Sequence, residues 1–231
     1  MGSCCNSNSN LIGEQFIRDI LKDESLKLRN YNYIELLNEI VSKRVEQEIP
    51  KEHIKQFLIP EFYDTNKGDS NDIYINAIFS YILDQLQDRN NMYSVLIYFY
   101  PFIKHDPEKM HENFFNTIRF ITHSHRTEIS RENVRKWIFN YICYCAWGIT
   151  YAISSKLPPT DDLNNSMSSL LNGPYSENNL NKLLNTLMNV LTGGNAEEII
   201  NLDMFKNMFE QYDISTIENV RDFLLTQKIE N

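Results

Sequence analysis

Glycine and proline are scarce in this chain, with 7 of each in 231 residues. A backbone so short of its sharpest turning residues is poorly suited to the many hairpins of a strand-rich sandwich. Helices need fewer such breaks. From Leu11 onward, apolar residues recur three and four apart, which is the period of an amphipathic helix. With 42% hydrophobic and 12% aromatic residues, the helices have enough apolar surface to bury a sizeable core. The fold class expected is therefore all-α.

The spacing predicts helices over 12–22, 31–46, 73–88, 92–104, 107–121, 131–154, 176–191, 196–211 and 216–227. Another helix opens at Pro50 and runs through His53, Phe57 and Phe62. Asn30 reads as the N-cap of the second helix, and a short extended piece is expected at 26–28. Polar loops fall at 64–72 and 123–130. Gly193 and Gly194 end one helix, and Asn195 with Glu198 resembles a capping box for the next. The segment 157–174, with Pro158, Pro159, two Asp and many Ser and Asn, reads as a linker or long exposed loop. This divides the chain into a flexible tip (1–10), a helical domain (11–156), a linker or long loop (157–175) and a C-terminal helical part (176–231) packed on or beside the first. The run WIFNYICYCAWGITYAISS (137–155) carries no charge and approaches the length of a membrane span. Its Asn, Ser and Thr residues favour the other reading, a helix buried on all sides in an all-α body.

Net charge is −9 and the isoelectric point about 5.1. Such a chain is repelled by nucleic-acid phosphates, and by an anionic membrane leaflet unless something anchors it. Its first residues, MGSCCNSNSN, offer an anchor. Removal of Met1 exposes the Gly2 amine, the acceptor for N-myristoylation in the pattern M-G-x-x-x-[ST]. Asn6 stands where Ser or Thr is preferred. One myristoyl chain binds a bilayer only marginally, so a second signal is needed. No polybasic patch follows, the first cation being Arg18, but Cys4 and Cys5 can be palmitoylated. The Asn/Ser stretch 6–10 then reads as a short tether. Cys4 and Cys5 with the distant Cys143 and Cys145 form neither a disulfide framework nor a zinc pattern, and no apolar signal segment follows Met1. A reduced compartment on the cytoplasmic face of a membrane is expected.

No P-loop, GxGxxG, HExxH or GxSxG occurs. His123 and His125 could touch one metal, but no third ligand is evident, and His105 and His111 only flank Pro107. Cys143, among Tyr141, Tyr144 and Trp147, reads as a small core residue rather than a nucleophile. Trp137 and the aromatic stripe after it read as core. Asp161–Asp162 reads as a solvated pair and Glu197–Glu198 as a first helical turn. No catalytic residue, metal or cofactor is expected.

Several helix–loop–helix segments have the rhythm of an EF-hand, a 12-residue calcium loop with Gly at position 6 and a bidentate Glu at position 12. In FYDTNKGDSNDIYINAIFSYI, Asp64 and Asn66 take ligand positions 1 and 3, but Gly68 is at 5, Asp69 at 6, Asn71 at 8 and Ile75 at 12. In ITHSHRTEISRENVRKWI, Ile129 as the apolar position 8 puts Thr122, Ser124 and Arg126 at 1, 3 and 5, and Asn133 at 12. With Ile214 at position 8, Glu218 falls at 12, yet Asn207, Phe209 and Gln211 fill 1, 3 and 5. DESLKLRN before Tyr31 has the rhythm without the ligands. The chain thus resembles the EF-hand superfold with non-canonical loops. With its tip it resembles myristoylated EF-hand sensors, and also the N-terminal helical half of TLDc-domain proteins. The second resemblance implies endolysosomal membranes and the vacuolar proton pump as partner, although this chain carries no TLDc β-domain. The function expected is a membrane-anchored, non-catalytic, calcium-independent adaptor that binds a protein partner through helical grooves and binds no nucleic acid. The alternatives are a structural subunit of a membrane-associated or ciliary assembly, a calcium sensor with atypical loops, and an enzyme whose site has no recognisable motif.

Overall fold

A computed structural model describes residues 5–22, 32–42, 71–85, 94–122, 127–159, 161–194 and 199–226. These residues are mostly helical, as expected. In chain order the helices are α1 (Cys5–Leu21), α2 (Tyr33–Ser42), α3 (Asp72–Gln85), α4 (Ser94–Phe99) with a 3-10 turn Tyr100–Phe102, and α5 (Met110–Ile121). Strand β1 (Glu128–Ser130) leads into α6 (Arg131–Cys143), a π-helical turn Tyr144–Gly148 and α7 (Ile149–Ser154). Then come α8 (Asp162–Asn172), α9 (Glu177–Thr192), strand β2 (Ile199–Asn201), α10 (Leu202–Gln211) and α11 (Ile217–Thr226).

The uncharged run 137–155 is the axis of the body. It forms most of one rod made of α6, the π-turn and α7, with Tyr141, Tyr144, Cys145, Ile149 and Ile153 buried. Among the described residues no helix is long and apolar enough to cross a membrane. The rod is wrapped by other helices instead. α9 packs on α6, α3 on α7, and α11 against the π-turn. Aromatic rings fill the space between them. Phe114 sits edge-on to Tyr100 and Tyr141, at 5.0 Å from each ring centroid, and meets Phe209 at 5.6 Å. Such edge-to-face contacts suit ring quadrupoles and leave few voids.

Two helix–strand–helix units face one another. α5 leads through β1 into α6, and α9 leads through β2 into α10. β1 and β2 pair antiparallel with Ile129 opposite Ile200, both buried. α5 packs on α10 and α6 on α9, so each unit covers the other. Residues 128–130, expected to be loop, form β1, and Ile129 pairs with Ile200. Ile214 lies buried in the approach to α11, where its carbonyl accepts a 2.8 Å hydrogen bond from the Tyr141 hydroxyl. Consequently the helix expected over 196–211 begins only at Leu202. Its cap is Asn201, whose side chain accepts from the Met204 N–H at 3.1 Å. The Asn195–Glu198 pair lies outside the described residues. In the first unit, Ser130 caps α6 by accepting from the Asn133 N–H at 3.3 Å.

Three other expectations are corrected. The segment 157–175 is not a loop over most of its length. Asp161 caps α8 by accepting from the Leu163 N–H at 2.7 Å, and Met167 and Leu170 are buried against α1. Ser and Asn hid an amphipathic helix whose apolar positions are few. Second, helix α1 reaches back to Cys5, into the stretch read as a tether. Asn and Ser are weak helix formers, but elongating a helix already nucleated at 11–21 costs far less than starting one. Third, α2 is capped by Asn32 rather than Asn30. The Asn32 side chain accepts from the Glu35 N–H at 3.0 Å, and Glu35 Oε2 accepts from the Asn32 N–H at 2.8 Å. The piece at 26–28, the helix from Pro50 and the loop from Asp64 to Ser70 lie outside the described residues.

Candidate functional site

α1 is fastened to the body through one carboxylate. Glu14, 3% exposed, lies against Arg221 of α11, which is fully buried. Arg221 Nε donates to both Glu14 oxygens at 3.0 Å and Nη2 donates to Oε2 at 2.6 Å. Tyr175 Oη also donates to Glu14 Oε2, at 2.6 Å. The Arg221 guanidinium carbon sits 4.6 Å from the Tyr175 ring centroid, a cation–π contact inside the same cluster. Its third nitrogen turns to the π-turn. Nη1 donates to the Cys145 carbonyl at 2.9 Å, the Ala146 carbonyl at 3.3 Å and Thr150 Oγ1 at 3.1 Å. A π-turn interrupts the ordinary ladder of helical hydrogen bonds, and carbonyls released there need another donor. Arg221 supplies it. At the rim, Arg18 Nε donates to Glu14 Oε1 at 3.0 Å and pairs with Asp222.

Burial raises the cost of charge on Glu14, but Arg221, the Tyr175 hydroxyl and Arg18 outweigh it and hold the carboxyl below its usual range. Burial opposes charge on Arg221 as well, while Tyr175 and Glu14 favour it strongly enough to raise its pKa. Burial pushes the Tyr175 phenol well up, keeping it a neutral donor. All the polar groups of this cluster are matched to one another. It ties α1, α11 and the π-turn together.

The sequence-derived candidates do not converge. Gly2 and Cys4 precede the described residues, and Cys5 is the first residue of α1. His123 and His125 lie outside the described residues, as do Glu197 and Glu198. His105 is packed on Tyr100 at 4.2 Å between centroids, with its Nε2 2.8 Å from the Tyr100 carbonyl oxygen. Burial lowers its pKa. His111 lies on α5, partly exposed. Burial pushes the Cys143 thiol up to about 12 and the fully buried Cys145 further, so neither is a thiolate near neutrality. Trp137 packs on the core edge. Asp161 caps α8 rather than pairing with Asp162 in solvent. Among the described residues no three His, Cys, Asp or Glu side chains gather to hold a metal.

A second feature is open to solvent. Tyr81 of α3, Trp147 of the π-turn, Tyr151 of α7, and Leu171 and Asn172 at the end of α8 line a hollow of about 390 Å³. The Tyr81 and Tyr151 ring centroids are 6.5 Å apart and the planes are tilted by 57°. The Trp147 indole N–H donates to the Tyr175 carbonyl, which fixes that ring. Sequence reasoning placed Trp147 and its aromatic neighbours in the core. Their period is right for that, but Tyr151 is 61% exposed and faces out.

No protein-family model, curated protein or solved structure matches this chain.

Proposed function

We propose that this chain is a lipid-anchored, non-catalytic adaptor, attached through Gly2 myristate and Cys4/Cys5 palmitate to the cytoplasmic face of a membrane, where it holds a protein partner. The observation that carries this reading is the continuity between the acylatable tip and the body. Cys5 opens α1, and α1 is fastened by Glu14 to Arg221 at the far end of the sequence. Acyl chains on such a tip would hold the whole body at the membrane rather than a loosely tethered domain. Confinement to two dimensions raises the effective concentration of a partner bound to the same membrane.

The two facing units are, on this reading, an EF-hand-like pair that has given up calcium. With Ile129 and Ile200 at position 8, position 9 is Ser130 in one loop and Asn201 in the other, and both cap the following helix. Position 12 is Asn133 in one and Met204 in the other, so neither loop has the bidentate carboxylate that closes a calcium site. Helix initiation then rests on side-chain caps and the paired isoleucines. Grooves between the helices of such units accept amphipathic helices from partners.

The decisive test is intact mass of the protein from its native cells, before and after hydroxylamine. A myristoyl increment on Gly2, with thioester-linked mass that hydroxylamine strips, is the expected result; an unmodified N-terminus refutes the anchor. Gly2→Ala should move the protein from the membrane to the soluble fraction and abolish crosslinking to its partner. Calorimetry should show no calcium binding in the micromolar range, and binding with a change in helix exposure would favour a sensor.

A further inference from the structure

We infer that the hollow between α3, the π-turn and α7 is a binding site for a trimethylammonium group. Three aromatic side chains from two separate stretches of chain line it. Trp147 and Tyr151 stand one turn apart on the same rod, and Tyr81 faces them from α3. Two of the three rings are held in place before any ligand arrives. Trp147 is fixed by its bond to the Tyr175 carbonyl, in the same cluster as Arg221. Tyr81 lies so close over Gly148 that a Cβ there would come within 2.5 Å of its ring. The absence of a side chain at 148 lets Tyr81 approach the rod. The π-turn, an energetically unfavourable feature that recurs at functional sites, spans Tyr144–Gly148 and so includes both Trp147 and Gly148.

The chemistry of the lining selects the ligand. The five lining residues offer aromatic faces, one aliphatic side chain and one amide, with no formal charge among them. A primary ammonium brought here would lose water and find no carboxylate. A quaternary ammonium has no N–H to satisfy, and aromatic faces attract its diffuse charge. The chain's net charge of −9 favours approach of a cation. A phosphate attached to the cation is disfavoured, because no lining residue is a cation that could meet it. The volume of about 390 Å³ is that of a small-molecule site, and the exposed Tyr151 leaves the mouth open for the rest of the ligand.

The test uses the full-length chain made without acylation, with the Trp147 indole N–H followed by NMR and assigned through Trp137→Phe. Choline and a peptide carrying trimethyl-lysine should shift that signal saturably. The same peptide with unmodified lysine should bind about tenfold more weakly or worse. Tyr151→Ala should lower choline affinity about tenfold while the free protein's spectrum stays folded, and Tyr151→Phe should retain it. A peptide that binds more tightly than choline assigns the site to a methylated protein partner, and equal binding assigns it to a free cation; either supports the proposal. No saturable shift at millimolar choline or peptide, equal binding of the unmodified peptide, or an inert Tyr151→Ala would overturn it. Phosphatidylcholine vesicles that outcompete free choline would overturn the exclusion of phosphate.

Discussion

Glu14→Gln should be among the most damaging single substitutions in this chain, and a second substitution should relieve it. The change removes the charge that offsets Arg221 while Arg221 stays fully buried. Breaking a buried ion pair from one side costs about 3–5 kcal/mol, because an uncompensated charge remains. Arg221→Met acts differently. Glu14 keeps Arg18 and the Tyr175 hydroxyl, and can take up a proton. What is lost is the donor to the π-turn. The Ala146 carbonyl still accepts from Thr150 Oγ1 at 2.7 Å, so the loss falls mostly on Cys145, whose carbonyl gives up a charged donor at about 1–3 kcal/mol. The double variant carries only that second cost and should be more stable than Glu14→Gln alone. Chemical denaturation of the four proteins, followed by circular dichroism at neutral pH, measures the cycle. Asp222→Asn serves as the control. Asp222 is mostly exposed, and its pair with Arg18 should contribute less than about 1 kcal/mol. If the double variant falls further than Glu14→Gln, or if Glu14→Gln costs no more than Asp222→Asn, the buried-charge reasoning is wrong.

Acid should weaken the fold in two steps. His105 has a lowered folded pKa, so its contribution is complete above the unfolded value of about 6.5 and is lost as pH falls below it. Glu14, also depressed, adds a second loss that begins near the ordinary carboxylate value of about 4.3 and continues down through its folded pKa. His105→Gln should flatten the first step alone in a stability titration from pH 7 to 5. Gly148→Ala should cost about 1–3 kcal/mol of denaturation free energy, since Tyr81 must move off the rod; a neutral result would mean that the ring shifts freely. Cys145 in the native protein should resist alkylation at pH 8 and react on unfolding, and rapid native labelling would contradict its burial.

Much of the secondary structure was legible because its signals are local. The 3.6-residue period located α5, α6, α9 and α11 to within a few residues, and Gly193 ends α9 in the left-handed conformation, at φ 59°. The period failed where polar residues dominate. In α8 the buried positions include Ser166 as well as Met167 and Leu170, so the apolar stripe that defines a helix from sequence is thin. The strand at Ile129 was not legible, because one apolar residue in a polar stretch reads as loop. Its partner Ile200 fell inside the helix expected over 196–211, and only packing reveals the pair.

The fastening of α1 had no local signal at all. Glu14 and Arg221 are 207 positions apart, and each stands in a helix where an isolated charge reads as solvated surface. Neither is placed by a motif. The nearest hint is the middle of the rod, where Gly148 and Thr150 interrupt the otherwise apolar or aromatic stretch 141–153. Gly148 admits the Tyr81 ring, and Thr150 donates to the Ala146 carbonyl while accepting from Arg221. Gly148 is the last residue of the π-turn, and Thr150 follows it in α7. The Cys145 and Ala146 carbonyls accept from the buried Arg221, whose charge calls for a carboxylate, and α1 brings that carboxylate as Glu14. Thus the same local irregularity that fixes the N-terminal helix to the body also aims Trp147 into the solvent-facing hollow. A variant that restores a regular helix through 144–148 should therefore disturb both.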